Sequence, residues 1–401
     1  MSAAPLEDAP RFEPEALLAA ASAQAEGLSD FGDPRFRPAL DALCAALEGE
    51  AHLSPLGRQL LHHKLLELLV NRLRIEDWFK RHPQIDDEVL EAPLVIIGMM
   101  RTGTTLLQRV LSCDPQFYSM AWWETRYPVP FPGESLKTPN ERIERARGEV
   151  RVMVEAMPKL MAIHPMDADQ ADEEVMLMEH SFYSAMNSYA DIPSYMRWLA
   201  EHGEAPAYDY LKRVLKFLQW QKRQRGIVAT RWVLKTPHHM LRMHLLLDAF
   251  PGAKIIQCHR DPLQTIPSTA SFIHTLWQIY GRAPDPLSAG ASWNDIMRRA
   301  LAQTQAMRNT HPGRFFDVDF RDTVKRPFET VRAIYDFAGL QLGAAAESAM
   351  QRWLATNPRE ARAAHDYDMA VYGLSEPQLK RDFADYRARY IEAADEHAAS
   401  A

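Results

Sequence analysis

The stretch "PLVIIGMMRTGTTLLQRVLSC", residues 93–113, decides how this chain folds. It opens on an uninterrupted apolar run, PLVIIG, the pattern of a strand buried on both faces of a parallel sheet. A helical pattern begins at once in TTLLQRVLSC, across a short turn holding Gly98 and Gly103. A glycine-bearing turn between a buried strand and a helix aims several backbone N–H groups into one concavity, where the helix dipole adds positive potential. Such a turn holds a phosphate or a sulfate group. Thr104 stands where the GxxxxGK[ST] loop of nucleotide hydrolases has its lysine. The hydroxyls of Thr102, Thr104 and Thr105 offer donors, and Arg101 supplies positive charge from within the loop. Taken alone, RTGTT also fits a plain turn with a threonine N-cap.

Working outward, the strand-like segments RWVLK (231–235), AKIIQCHR (253–260) and RFFDVDF (314–320) alternate with the helical patterns PHHMLRMHLLLDAF (237–250) and TVKRPFETVRAIYDFAGL (323–340). Strands separated by helices imply an α/β fold with a central parallel sheet. Residues 12–80 carry apolar positions at helical spacing, which predicts an N-terminal helical region over 1–92. The α/β domain is expected over 93–390, with a helix-rich insertion at 141–225 and a tail at 391–401. The insertion is rich in Met, Tyr and Trp, which suits either packing or the wall of an apolar pocket.

Composition narrows the function. The 401 residues are 47% apolar, enough for a real core, and the formal net charge is −7 with a pI near 6.1. That balance argues against general nucleic-acid binding, so a basic anion site must be focused. The acidic start, MSAAPLEDAP, lacks the basic patch and apolar core of a signal peptide, and LLHHKLLELLV is too short and too charged to span a bilayer. The unclustered Cys44, Cys113 and Cys258 suit buried thiols in a reducing compartment, so a cytoplasmic location is expected. The oligomeric state is not written in these features.

A second motif, IIQCHRDPLQTIPS, ends a predicted central strand in Arg260, where ligands bind in open α/β sheets. The planar guanidinium can grip a phosphate in bidentate fashion, and Ser268, eight residues on, adds a hydroxyl. By itself "RDP" equally fits an ion pair opening a turn at Pro262. HRD without a downstream Asn, a DFG triplet or a glycine-rich strand is not a protein-kinase loop.

Together, IIGMMRTGTTLLQRVLSCDP and IIQCHRDPLQTIPS resemble the 5'-phosphosulfate loop and the 3'-phosphate-binding strand and helix of sulfotransferases. The resemblance extends from about Pro93 to about Tyr390. It implies the three-layer fold of P-loop-containing nucleotide hydrolases, with 3'-phosphoadenosine 5'-phosphosulfate (PAPS) as donor, 3'-phosphoadenosine 5'-phosphate (PAP) as product, and no metal. Arg101, Thr102, Gly103, Thr104, Thr105, Arg260 and Ser268 take the donor-binding places.

Sulfuryl transfer to an alcohol needs a base for the acceptor and cationic groups for the leaving phosphate. Glu124, in MAWWETRYPVP, resembles the catalytic glutamate of tyrosylprotein sulfotransferases, and apolar neighbours would raise its pKa. Glu173 and Glu174, in DADQADEEVM, and His238 are the other candidates. Lys235 ends a predicted strand and resembles a lysine that tyrosylprotein sulfotransferases place at the leaving group; with Arg101 it is expected to stabilise the transferred sulfate. His238 and His239 lack the spacing of a metal pair. Phe320 stands where the resembled enzymes have a tyrosine, and the KGxxG closure of cytosolic sulfotransferases is absent; Arg359, Arg362, His365 and Tyr367 are the C-terminal residues expected near the donor. The expected activity is PAPS-dependent, metal-independent sulfation of a hydroxyl or phenol on an apolar small molecule. A P-loop small-molecule kinase and a non-catalytic anion-binding protein are the alternatives.

Overall fold

The computed structural model describes residues 10–157, 166–357 and 367–393. Three helices come first: α1 (Pro14–Gln24), α2 (Phe36–Gly49) and α3 (Pro55–Arg81). Then follow β1 (Leu94–Gly98), α4 (Thr104–Leu111), β2 (Phe117–Tyr118), α5 (Trp122–Arg126), α6 (Asn140–Ala156), α7 (Val175–Met178), α8 (Pro193–His202) and α9 (Ala205–Gln224). After β3 (Arg231–Lys235) come α10 (Met243–Ala249), β4 (Lys254–His259), α11 (Pro262–Tyr280), α12 (Pro286–Thr310) and β5 (Phe315–Asp319). The chain continues through α13 (Phe320–Lys325), α14 (Pro327–Ala338), α15 (Ala344–Thr356), α16 (Glu376–Asp382) and α17 (Ala384–Arg387).

The strands run parallel in the order β2-β3-β1-β4-β5. Alternation along β1 explains the layers. Leu94 and Ile96 pack with Leu107 and Leu111 of α4 and Val331 of α14. Val95 and Ile97 point the other way, into a core with Leu246 of α10 and Ile266 of α11. Covering both faces of a parallel sheet with helices gives the three-layer α/β architecture that the alternation predicted. The edge strand β2 is only two residues long, too short to leave a period in the sequence.

The N-terminal helices do not stand apart. Leu17, Leu40, Leu61 and Leu69 belong to the same continuous core as Val95 and Ile97. Each fully buried aliphatic side chain adds about 1.5–3 kcal/mol, so this region is bound into the fold. The segment 237–250, expected as one helix, begins instead as a 3-10 turn over Pro237–Arg242 before α10. There His239 is pinned between Glu174 (2.8 Å) and the Tyr208 hydroxyl (2.9 Å).

Because the strands are parallel and in register, their C-terminal ends lie along one edge. Gly98 pairs with Cys258 at the ends of β1 and β4, and His259 pairs with Asp319 at the ends of β4 and β5. Lys235 closes β3 beside them, opposite Ile96. This edge is where an open α/β sheet binds its ligands.

Candidate active site

The loop after β1 is shaped by two residues in the left-handed region, Arg101 (φ 71°) and Gly103 (φ 86°). At Gly98 a Cβ would lie 2.6 Å from Thr102 Oγ1 and 2.7 Å from the Cys258 carbonyl, so only glycine lets the chain pass β4 here. Arg101, Gly103, Thr104 and Thr105 all line a cleft at the sheet edge. Thr102 does not: it is fully buried, and its hydroxyl donates to the Met99 carbonyl at 2.7 Å. Its hydrogen bond shapes the turn and is not available to a ligand, which corrects its expected place among the donors.

Arg260 follows β4 and is held on three sides. Its Nη1 donates to the Arg101 carbonyl (2.8 Å), its Nε to Gln264 Oε1 (3.0 Å), and its guanidinium lies 4.2 Å from the Phe320 ring centroid. Phe320 thus fixes the plane of the arginine where the resembled enzymes have a hydroxyl. Ser268 lies two turns into α11 and lines the same cleft. The fold therefore brings together the two motifs that lie roughly 160 residues apart in sequence.

Lys235 is buried, and its ammonium lies 3.3 Å from Thr105 Oγ1 and 2.5 Å from Glu173 Oε1. Glu173 reaches it from a tightly clamped segment. Ala121 pairs with Ala171, Gln108 Nε2 donates to the Asp172 carbonyl (2.9 Å), and Arg109 Nε to the Ala171 carbonyl (3.4 Å). Both anchoring side chains come from α4, the helix that the loop starts, so Glu173 is fixed relative to the loop. Glu173 lines the cleft. Its neighbour Glu174 is fully buried and spent on structure, accepting from Lys235 N (2.8 Å) and bonding His239 Nε2. His238 also lines the cleft, with its Nε2 2.7 Å from Glu204. Burial would raise the Glu204 pKa, but His238 and Arg242 beside it outweigh that and hold it low.

Glu124 is placed elsewhere. It is buried, accepts from Lys222 Nζ at 2.7 and 2.6 Å on its two oxygens and from Arg225 Nη2 at 2.7 Å, and takes the Ala121 N–H at 3.0 Å. Burial alone would raise its pKa, as its tryptophan neighbours suggested, but the two cations overcome that and hold it at about 2. Both of its oxygens are engaged, and Glu124 is not among the residues that line the cleft. Glu124 braces α5 against α9, which corrects the expectation that it takes the acceptor proton.

The cleft has a volume of about 1310 Å³, larger than the roughly 300–1,000 Å³ typical of a single small ligand. Beyond the loop its walls carry many apolar side chains, Met176, Met196, Leu241, Phe272, Leu276 and Met297 among them, beside polar ones such as Asn187 and Glu204. Met176 and Met196 come from the helix-rich insertion. The N-terminal region also contributes, through Leu60, His63, Lys64 and Glu67 of α3, which sequence reasoning missed. Their spacing of three and four marks one helix face, but nothing local says that the face meets a cleft. Tyr367 lines the cleft and donates to the Gln264 carbonyl (2.8 Å), whereas Arg359, Arg362 and His365 lie outside the described residues, as does most of the expected tail. Among the described residues no group of three or more His, Cys, Asp or Glu is placed to hold a metal ion, and no helix is long and apolar enough to cross a membrane.

A strand–loop–helix turn, an arginine and a serine after β4, and a lysine between that loop and a carboxylate thus meet in one cleft of a three-layer α/β fold. Residues 93–343 match the sulfotransferase family, and the chain belongs to it. Two solved relatives share almost the whole fold. Sulfotransferase STF1 of Mycobacterium tuberculosis H37Rv is 29% identical with a TM-score of 0.80, covering 92% of this chain and 98% of that one. Sulfotransferase STF9 of Mycobacterium avium is 26% identical with a TM-score of 0.84, covering 97% and 98%. The omega-hydroxy-beta-dihydromenaquinone-9 sulfotransferase Stf3 of Mycobacterium bovis is 28% identical over 264 residues. The match spans 63% of this chain and 64% of that protein's length.

Proposed function

We propose that this enzyme transfers a sulfuryl group from PAPS to the hydroxyl of an apolar, lipid-like small molecule, with Glu173 as the base. The observation that carries this reading is the contact chain Thr105–Lys235–Glu173, which links the loop after β1 to a cleft-lining carboxylate. The donor fits the residues present: the loop amides with Arg101, Thr104 and Thr105 suit the 5'-phosphosulfate, and Arg260 with Ser268 suits the 3'-phosphate.

Glu173 accepts the proton of the acceptor hydroxyl as its oxygen forms the new bond to sulfur. The bond from sulfur to the 5'-phosphate oxygen breaks in the same step, and PAP leaves. Lys235 and Arg101 stabilise negative charge on the sulfuryl oxygens and on the departing phosphate. The buried setting of Lys235 strengthens that interaction, because little water screens it.

The apolar cleft supports the acceptor class, and a relative named for a hydroxylated menaquinone derivative points the same way. The test is PAPS-dependent sulfation of an alcohol and phenol panel in EDTA, beside calorimetric titration of PAP and ATP. Tight PAP binding with turnover supports the reading. Tight ATP binding with strict magnesium dependence would replace it with a kinase, and PAP binding without any turnover would leave a non-catalytic anion binder.

A further inference from the structure

Resting on the sulfotransferase reading, we infer that the acceptor is a chain-shaped alcohol threaded hydroxyl-first along α11, not a compact ring. α11 lines the cleft turn after turn: Gln264 and Ser268 at the donor end, then Phe272 and Leu276, and finally Tyr280. Past Ser268, which sits at the donor's 3'-phosphate, the path from Phe272 to Tyr280 is roughly 12 Å long at 1.5 Å per residue, about twice what a phenol requires.

The far end of the path is fixed by α3. Ser54 N donates to the Tyr280 carbonyl at 2.8 Å, and a Cβ on Gly57 would lie 1.9 Å from that oxygen, so the two backbones touch. α3 then continues past the cleft with Leu60, His63, Lys64 and Glu67. The charges there answer each other: Lys64 pairs with Glu179 at 2.6 Å, and the Tyr189 hydroxyl donates to Glu179 at 2.6 Å. The Tyr189 and Tyr280 rings meet edge to face at 5.6 Å. Between this end and Ser268 the α11 and α12 walls present Phe272, Ile273, Ile296 and Met297, which reward apolar contact. Leu60 and Val152 border the cleft and are 41% and 65% exposed, so the part of a chain longer than the path leaves between α3 and α6.

The test uses the full-length enzyme with PAPS and a series of primary alcohols from butan-1-ol to dodecan-1-ol, with phenol as the compact comparator. The expected result is a kcat/KM that rises with chain length, by up to about fourfold per methylene. Leu276→Trp, midway along the path, is expected to lower the dodecan-1-ol to butan-1-ol ratio of kcat/KM at least tenfold. The wild-type series carries the test if that variant does not fold. Turnover of phenol with a flat alcohol series overturns the chain-shaped acceptor and leaves sulfuryl transfer standing. Absence of PAP binding overturns both.

Discussion

Lys235 and Glu173 form an ion pair 2.5 Å long at the C-terminal edge of the sheet, and the same ammonium lies 3.3 Å from Thr105 of the anion loop. Two opposite charges thus stand side by side, one turned to the donor loop and one to the acceptor cleft.

Glu173→Gln is expected to lower kcat by about 10²–10⁴-fold, the usual worth of a positioned base. PAP affinity should change less than threefold, because the carboxylate lies on the acceptor side of Lys235. Steady-state kinetics beside calorimetry separates the two. If Glu173→Gln keeps wild-type kcat while His238→Ala loses it, His238 is the base.

Lys235→Ala removes a cation from the transferred group and is expected to cost about 10²–10³-fold in kcat. Lys235→Arg should not restore the rate. The side chain is 1% exposed, and a guanidinium is larger and flatter than the ammonium this site encloses. Recovery to within threefold of wild type would show that charge alone suffices.

Arg260→Ala should weaken PAP binding by about 10–100-fold, the scale of one strong charge-assisted grip. Arg260→Lys should recover little of that loss, since the stack on Phe320 and the bond to the Arg101 carbonyl both need the planar group. Titration of PAP against both variants measures it.

Glu124→Gln tests the opposite assignment. Removing one member of a buried ion cluster leaves Lys222 and Arg225 without their carboxylate, so a stability loss of about 3–5 kcal/mol is expected in chemical denaturation. The kcat of the folded fraction should stay within about twofold of wild type. A thousandfold fall in kcat with unchanged stability would return the base role to Glu124.

The same residue gives a pH signature. Its folded pKa of about 2 lies below the ordinary 4.5, so the stability it contributes is complete above 4.5 and fades as the pH falls toward 2. The gap in unfolding free energy between wild type and Glu124→Gln should therefore narrow across that window. A gap that stays constant from pH 6 to pH 3 would mean the carboxylate is not held ionised by its neighbours.

The sequence by itself determined the α/β class and the strand, glycine turn and helix around 98–105, and it singled out Arg260 and Ser268, which line the same cleft. Each is a local signal: an apolar strand, a glycine turn and a helix start are contiguous, and the chemistry follows from backbone geometry that those residues impose. Only the tertiary structure gave each candidate carboxylate its surroundings. Glu124, beside two tryptophans, has the sequence context of a base with a raised pKa, yet Lys222 and Arg225, about 100 residues away, reverse the sign of its shift. Glu173 and Glu174 are adjacent in sequence, but the non-helical turn before α7 sends one to Lys235 Nζ in the cleft and the other to His239 in the core. A carboxylate's proton affinity and reach depend on which charges the fold brings to it, and that information is non-local.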